Sequence, residues 1–238
     1  MTARLTPGDL GTVLGVWAHP DDECYLMAGT AMLAAGAGSH VAIVSATLGE
    51  AGVTSDEERW PVAHLAEIRR AELAASLIEL GLDDHTWLGL PDGGLADLAP
   101  EIGVGLVAEV VERVRPDTVL TFGPDGVTGH PDHVAVGRWA QEAAVAVMGT
   151  GCRVLAPTMT ADLLAPFAAV NAVVYEWGPP PCSAPDEVVM ETVLTGALLD
   201  RKVRSLRAQA SQTAALESWM GAQTYRAWVS AELWVPRA

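Results

Sequence analysis

Short apolar runs rich in β-branched residues alternate with helical patterns through the first two thirds of the chain. Residues 12–17, 40–46 and 117–122 are typical of buried strands, residues 86–88 of a shorter one, and a further strand begins at residues 153–156. Strands that alternate with helices indicate βαβ units, which place the strands parallel in one sheet. The sequence therefore predicts an α/β, Rossmann-like fold, with a mostly parallel sheet flanked by helices.

The helical segments fall between these strands. Apolar periodicity and capping residues predict helices over residues 22–35, 62–80, 99–114 and 130–147. In the last third we predict strands at residues 171–177 and 188–194 and a helix at 198–212, while the pattern at 219–234 favours neither type. No linker or internal repeat divides the 238 residues. We expect one domain over residues 1–238, with residues 151–238 as its C-terminal elaboration.

The charge balance excludes several classes of partner. The chain has 30 acidic and 14 basic residues, which gives a net charge of −16 at pH 7. Nucleic acids and anionic membrane surfaces are bound by clustered Lys and Arg, so we expect neither as a partner. Three widely spaced cysteines, Cys24, Cys152 and Cys182, predict free thiols in a reducing compartment. We expect a cytoplasmic protein that acts on a small molecule, and the sequence leaves open whether it forms a homo-oligomer.

The residues with catalytic chemistry follow successive predicted strands. His19 follows the first strand, Glu50 the second, Asp92 the third and His130 the fourth. In open parallel sheets, ligands bind beyond the carboxyl ends of the strands. We therefore expect these side chains to lie along one edge of the sheet and to form an active site there.

The first of two histidine-rich motifs is AHPDDE, at residues 18–23. Proline is favoured in a first helical turn and acidic residues are stabilised there by the helix dipole, so the motif predicts a helix that begins at Pro20. His19 and Asp22 are three positions apart, close enough to converge on one metal ion. Adjacent carboxylates do not point the same way, which leaves Asp21 free to face a substrate.

The second motif is HPDH, at residues 130–133. Pro131 again predicts a helix start, with His130 and His133 three positions apart. Together, His19, Asp22 and His133 form a site of two histidines and one carboxylate with positions left open for water. Such nitrogen and oxygen donors suit zinc, and they also accept iron or another divalent metal.

These residues predict metal-assisted hydrolysis of an amide. A bound metal lowers the pKa of its water from about 15.7 to roughly 7, and Asp21 is the candidate base that takes the proton from that water. A cationic His130, together with the metal, is expected to stabilise the oxyanion. Asp132 is expected to hydrogen-bond His130, fixing its orientation and raising its pKa. The acid that protonates the leaving amine is either His130 or Asp21.

The chain resembles the LmbE-like family, also called the PIG-L family of N-acetylglucosaminyl-phosphatidylinositol de-N-acetylases. The resemblance lies in residues 18–23, 47–50 (TLGE), 69–73, 90–93 (LPDG) and 121–133, and more loosely in Lys202 and the pair at 211–212. It implies a zinc-dependent deacetylase that removes an N-acetyl group from an amino sugar or an N-acetylglucosaminyl conjugate.

The resemblance also implies roles for individual residues. It gives the zinc ligands as His19, Asp22 and His133, the base as Asp21, the oxyanion stabiliser or acid as His130, and the residue that orients it as Asp132. By similarity, Arg69 and Asp92 contact sugar hydroxyls and Glu50 lines the pocket.

The chain departs from the family pattern at two positions. Some members carry a mobile tyrosine where this chain has Thr128, and many carry histidine where it has Gln209. We therefore expect its substrate to differ from those of the best-known members.

Three alternative functions remain open at this point. The first is an amidase for a larger N-acyl substrate, in a thiol-conjugate or secondary-metabolite pathway, with Trp60, Trp87 and Trp219 either lining an acyl pocket or lying in the core. The second is an inactive relative that binds a metal or a sugar, although Asp21 and His130 would have no use there. The third, a dinucleotide-dependent dehydrogenase, lacks a glycine-rich loop after the first strand.

Overall fold

Seven strands form one sheet in the computed structural model, which describes residues 4–175 and 177–237. They are β1 (Val13–Trp17), β2 (Val41–Ser45), β3 (Asp84–Trp87), β4 (Thr118–Thr121), β5 (Arg153–Thr158), β6 (Met190–Val193) and β7 (Ala231–Pro236). Their order across the sheet is β3-β2-β1-β4-β5-β7-β6. The first five strands pair in parallel, whereas β7 runs antiparallel to both β5 and β6. The prediction of a mostly parallel α/β sheet is confirmed.

Helices connect and cover these strands. Their bounds are α1 (Asp22–Leu26), α2 (Ala28–Gly36), α3 (Leu65–Leu80), α4 (Pro100–Val114), α5 (Pro131–Met148), α6 (Ala161–Leu164), α7 (Ala168–Val174), α8 (Gly196–Ala208), α9 (Ala210–Met220) and α10 (Ala222–Trp228). The helices predicted at residues 62–80, 99–114 and 130–147 correspond to α3, α4 and α5. Within the described ranges, none of the helices has the combination of length and apolar character that crossing a membrane requires.

The central strand β1 fixes the position of the first motif. All five of its residues are buried, as expected for a parallel strand that is covered on both faces. Trp17, at its end, packs edge-on against Phe122, which follows β4, with ring centroids 5.0 Å apart. The two chain segments that leave β1 and β4 are therefore held side by side, and these segments carry the two histidine motifs.

Helices α4 and α5 approach each other closely at Gly103. A Cβ atom at this position would collide with the ring of Trp139, which is 2% exposed. The glycine therefore allows the tryptophan to pack directly against the backbone of α4. This contact anchors α5, whose first turn carries the second motif.

The helix predicted at residues 22–35 is interrupted at Met27. Its sulfur accepts a hydrogen bond from Trp17 Nε1 at 3.0 Å, and α2 begins at the next residue. The carboxylate of Glu232 accepts hydrogen bonds from the backbone N–H groups of Gly29 and Thr30, each at 2.8 Å. These donors belong to the first turn of a helix and need such a partner, which a residue far along the chain supplies.

The last third differs most from the sequence-based expectation. The strand predicted at residues 171–177 is wrong, since Ala168–Val174 form α7; Glu176 lies outside the described residues. Asn171 stabilises this helix, because its amide donates to Leu164 O at 3.1 Å and its oxygen accepts from Trp228 Nε1 at 3.2 Å. A run of valines is typical of a strand, but these tertiary contacts outweigh that preference.

The remaining C-terminal segments complete the sheet. The strand predicted at residues 188–194 is present as β6, and it pairs with β7 from the segment that the sequence left unassigned. The helix predicted at 198–212 is two helices, α8 and α9, which meet at Gln209. The Gln209 side chain leaves this junction and enters the active-site region.

Candidate active site

The predicted site residues lie at one edge of the sheet, beyond the carboxyl ends of β1 to β4. They border a cavity of about 300 Å³. The residues lining it are His19, Asp21, Asp22, Ala51, Gly52, Arg69, Asp92, Gly93, His130, His133 and Gln212. The structure thus brings together the three predicted metal ligands, the predicted base and both residues that similarity places against a sugar.

The three predicted ligands lie next to one another. Nδ1 of His19 and Nε2 of His133 are 3.1 Å apart, and Asp22 lies 3.4 Å from His133 Nε2 through Oδ1 and 3.7 Å from His19 Nδ1 through Oδ2. Two nitrogen ligands at 2.0–2.1 Å from a tetrahedral zinc would be about 3.3 Å apart. The donor set and its spacing therefore fit a small divalent metal.

The outer nitrogen of each imidazole has its own partner. His133 Nδ1 donates to the carbonyl oxygen of Gly126 at 2.9 Å, and His19 Nε2 donates to Asp92 Oδ1 at 3.0 Å. The ring of His133 also stacks on Phe122, with centroids 4.1 Å apart. Because a hydrogen bond at one ring nitrogen fixes the tautomer, these contacts direct the inner nitrogens of both rings toward one another.

The two histidines have opposite pKa shifts in the metal-free protein. Burial lowers the pKa of His133 to about 4. Burial acts in the same direction on His19, but hydrogen bonds and attraction from Asp132 and Asp92 outweigh it and raise the pKa of His19 to about 10. His19 therefore carries a proton that metal binding must displace, which makes metal affinity pH-dependent.

His130 lies next to these ligands at the start of α5. A ring nitrogen of His130 lies within 4.8 Å of nitrogens of His19 and His133, so a set of three histidines is an alternative group of ligands. Nδ1 of His130 accepts a hydrogen bond from the backbone N–H of Asp132 at 3.2 Å. Its ring stacks on Trp177, with centroids 4.6 Å apart and planes 15° from parallel. A neutral His130 therefore keeps its proton on Nε2.

Asp132 acts on His130 through its backbone N–H and its charge rather than through a hydrogen bond of its carboxylate, and its catalytic role stays a prediction. The Asp132 carboxylate accepts hydrogen bonds from the backbone N–H groups of Gly93 at 2.9 Å and Leu95 at 3.0 Å, and only its own backbone N–H reaches His130. The pKa of His130 is lowered overall, because burial and the charge of His19 outweigh the opposing attraction of Asp132 and the neighbouring aspartates. Asp132 instead orients the turn that carries Asp92, and its carboxylate lies 3.6 Å from His19 Nε2.

Asp21 has an unusual backbone conformation. Its φ is 101°, in the left-handed region that non-glycine residues rarely adopt. Burial raises the pKa of its carboxyl to about 7 against the opposing attraction of Arg69, which lies 3.5 Å away. A carboxyl group with this pKa is suited to accept and return a proton near neutral pH.

Glu23 is a residue that the sequence-based assignment of roles did not include. It is fully buried, and its Oε2 accepts a hydrogen bond from the backbone N–H of Asp21 at 3.0 Å. Its other oxygen accepts from Gln209 Nε2 at 2.6 Å and from the Cys24 thiol at 2.9 Å. Glu23 thereby links the strained residue to the junction between α8 and α9. The sequence feature that could have identified Glu23 is its place as the last acidic residue of the first motif.

Arg69 and Glu50 are held by neighbouring backbone groups. Arg69 is 4% exposed and donates to the carbonyl oxygens of Gly49, at 2.9 Å, and Pro20. Gly49 has a positive φ of 68°, and a Cβ there would occupy the space of the guanidinium. Glu50 Oε1 accepts from the backbone N–H of Asp92 at 3.0 Å and so supports the turn that carries Asp92, while a place for Glu50 in the pocket lining stays a prediction.

Comparisons with known proteins agree with this fold and site. The family model described as PIG-L, GlcNAc-PI de-N-acetylase, matches residues 14–144. A protein of Acidothermus cellulolyticus named 1D-myo-inositol 2-acetamido-2-deoxy-alpha-D-glucopyranoside deacetylase is 30% identical over 235 residues, covering 85% of this chain and 80% of its own. A protein of the same name from Kineococcus radiotolerans is 37% identical over 171 residues, covering 59% and 46%.

A solved structure has a similar fold. The N,N'-diacetylchitobiose deacetylase from Pyrococcus horikoshii has a TM-score of 0.64 at 22% identity, and the match covers 97% of this chain and 85% of that one. The fold and site thus define an α/β protein with a cluster of histidine and aspartate side chains, suited to hold a metal, at the carboxyl edge of its sheet. The chain belongs to the PIG-L family. It spans about half the length of several deacetylases that it matches.

Proposed function

We propose that this chain is a zinc-dependent N-deacetylase that removes the acetyl group from an amino sugar or an N-acetylglucosaminyl conjugate. The observation that carries the proposal is the 3.1 Å approach of His19 Nδ1 to His133 Nε2, with the Asp22 carboxylate beside both atoms and Asp21 in the same cavity. The names of the relatives support an acetylated amino sugar as the substrate class.

The metal would be held by His19, Asp22 and His133. Zinc bound there would act as a Lewis acid and would lower the pKa of a bound water to roughly 7. Other divalent metals such as iron suit the same donors. His130, whose Nδ1 accepts from the Asp132 backbone, is left to face the substrate.

Asp21 and His130 have separate roles in this proposal, proton transfer for Asp21 and hydrogen bonding to the carbonyl oxygen for His130. Asp21 takes the proton from the attacking water through its carboxylate and returns it to the leaving amine, because it is the group that gains a proton in the first step. His130 donates from Nε2 to the carbonyl oxygen as negative charge develops on that atom. It does so as a neutral imidazole, so this role does not need the raised pKa expected from the sequence.

The remaining predictions concern contacts with the substrate, the cellular location and the assembly of the protein. Arg69 and Asp92 line the cavity, and contact with sugar hydroxyls stays a prediction for both; Arg69 Nε has no hydrogen-bond partner among the described residues. A cytoplasmic location, a single domain and self-association also stay predictions. Cys24, Cys152 and Cys182 have free thiols, which a reducing compartment would favour.

Metal analysis combined with acetate release tests this function. We expect the purified chain to bind one equivalent of zinc and to release acetate from N-acetylglucosaminyl-inositol, N-acetylglucosamine or N,N'-diacetylchitobiose. Asp21→Asn should keep the metal and lower kcat at least about a hundredfold, whereas His133→Ala should lose the metal. If the zinc-loaded chain releases no acetate from any of the three substrates, the proposed function is wrong. Full activity in Asp21→Asn would remove Asp21 from the mechanism.

A further inference from the structure

A second cavity opens directly from the metal site. It has a volume of about 270 Å³ and shares Asp22, His133 and Gln212 with the polar cavity described above. A methyl group needs little more than the ~30 Å³ share of one water molecule. The space beside the proposed ligands is therefore many times larger than an acetyl group requires.

Most of the residues that line this cleft are apolar or aromatic. Aliphatic side chains of Leu26, Val127, Val174 and Leu216 line it. Three aromatic rings, those of Tyr25, Tyr175 and Trp228, also line it, and its polar lining residues are Asp22, Thr128, His133 and Gln212.

Two of these rings already have partners for their polar atoms. The Tyr25 hydroxyl lies 3.0 Å from the hydroxyl of Tyr225, and Trp228 Nε1 donates to Asn171 at 3.2 Å. They are therefore available to a ligand mainly through their apolar faces. Beyond the cleft, a small further cavity of about 60 Å³ shares Tyr25, Leu26 and Trp228 with it.

The position of the cleft relative to the proton-transfer groups identifies its occupant. Asp21, Arg69 and His130 line the polar cavity and are not part of the cleft lining. The leaving amine must lie where it can receive a proton from Asp21, so the amino sugar occupies the polar side. The acyl substituent of the same carbonyl carbon then extends to the other side of the ligands.

Thr128 keeps this side open. It lines the cleft and lies 3.4 Å from His133 Nδ1 through its hydroxyl. Its side chain is small, which leaves this part of the cleft open.

We propose that the cleft binds the acyl chain of an N-acylated amino sugar, and that the enzyme hydrolyses N-acyl groups of at least six carbons in addition to acetyl. This inference rests on the proposed amide hydrolysis. Water adds its oxygen to the carbonyl carbon, the carbon–nitrogen bond breaks, the acyl group leaves as a carboxylate, and the two protons of the water pass to the nitrogen, which leaves as an ammonium group. The fatty carboxylate and the free amino sugar are the products.

A chain-length series tests the proposal. Wild-type enzyme loaded with zinc is assayed for amine release from N-acetyl-, N-butyryl- and N-hexanoylglucosamine. We expect kcat/KM for the hexanoyl substrate to equal or exceed that for the acetyl substrate. Turnover of the acetyl substrate with a hexanoyl value more than about a hundredfold lower would overturn the acyl-chain assignment and leave the deacetylase function in place.

Two substitutions on the same helix provide the matched control. Val174 lines the cleft, whereas Val173 is 55% exposed on the protein surface. Val174→Phe should lower the ratio of hexanoyl to acetyl kcat/KM at least about tenfold, because it fills space that the longer chain needs. Val173→Phe should leave that ratio unchanged. Equal effects of the two substitutions would contradict the proposal.

Ligand binding separates this inference from the proposed function. Hexanoate should bind the zinc-loaded wild-type protein at least tenfold more tightly than acetate, since each buried methylene strengthens binding about fourfold. Isothermal titration calorimetry measures both affinities. One outcome is that no substrate is hydrolysed, while hexanoate binds and Val174→Phe weakens that binding. This result would support the acyl-chain site and contradict the proposed hydrolase function. Equal affinity for hexanoate and acetate overturns the acyl site.

Discussion

Asp21 combines a strained backbone with the chemistry assigned to it. Its φ of 101° places a side chain in a conformation that favours glycine. The Glu23 carboxylate holds the Asp21 backbone N–H at 3.0 Å, and Glu23 is held in turn by Gln209. Strain of this kind costs about 1–3 kcal/mol and persists only where the surrounding structure imposes it. Here the residue in the imposed conformation lines the cavity, and its carboxylate lies 3.5 Å from Arg69.

The strain at Asp21 can be measured with a pair of substitutions. Asp21→Gly should unfold with a free energy about 1 kcal/mol higher than Asp21→Ala, because only glycine adopts this backbone conformation without a steric penalty. Both variants lose the carboxylate, so the difference isolates the backbone. Urea unfolding of the two metal-free proteins measures it. Equal stabilities would mean that the left-handed conformation is not costly at this position.

At the scale of elements, a buried ion pair joins four parts of the fold. Lys202 on α8 donates to Glu232 of β7 at 2.6 Å and to the carbonyl oxygen of Tyr25 in α1 at 2.9 Å. Glu232 also accepts the first backbone N–H groups of α2. The side chains of the pair are 0% and 1% exposed. The pair therefore fixes the interruption between α1 and α2, which places the first motif.

Removing the lysine should destabilise the fold strongly. Lys202→Met leaves the Glu232 carboxylate buried without its cation, and we expect a loss of about 3–5 kcal/mol in the free energy of unfolding. The control lies two residues further along α8, where Arg204 pairs with Glu79 at 2.8 Å with exposed fractions of 52% and 37%. Arg204→Met should cost less than about 1 kcal/mol. Similar losses in the two variants, measured by denaturant unfolding, would contradict this assignment.

At the scale of the whole molecule, the stability depends on groups outside the active site. His85 on β3 lies beside Ser45 of β2, with Nε2 and Oγ 3.1 Å apart. Burial lowers the pKa of His85 to about 4, although Asp84 acts in the opposite direction. The unfolded chain therefore binds a proton at His85 at a higher pH than the folded chain does.

This difference predicts a loss of stability in mild acid. The contribution of His85 is fully present above its unfolded pKa of about 6.5 and is lost as the pH falls toward about 4, because the unfolded state gains the proton first. At pH 5 the expected loss relative to pH 7.5 is about 2 kcal/mol. His85→Gln should remove this component, so the unfolding free energies of wild type and variant should diverge between these pH values. Parallel profiles would show that His85 is not responsible.

The family assignment and the general character of the site follow from local sequence. The strand-like runs, the helix starts at Pro20 and Pro131 and the His–Asp spacing are features of short segments, and parallel topology brings the ends of successive strands to one edge. For this reason the sequence predicted that His19, Asp22 and His133 would converge, and the fold brings them within 3.1–3.7 Å of one another.

The partners of the catalytic groups and the shape of the acyl side were decided only by the tertiary structure. Asp132 meets backbone groups of Gly93 and Leu95, and Glu23 meets Gln209, which is 186 positions away. The residues that line the apolar cleft come from α1, α7, α9, α10 and the turn at Val127. Most of these elements lie outside the two histidine motifs. The sequence pattern indicated that Trp60, Trp87 or Trp219 could line such a pocket, yet its aromatic walls are Tyr25, Tyr175 and Trp228. Hydrogen bonds and packing between distant segments depend on how the elements are arranged in three dimensions. A local sequence pattern does not determine that arrangement.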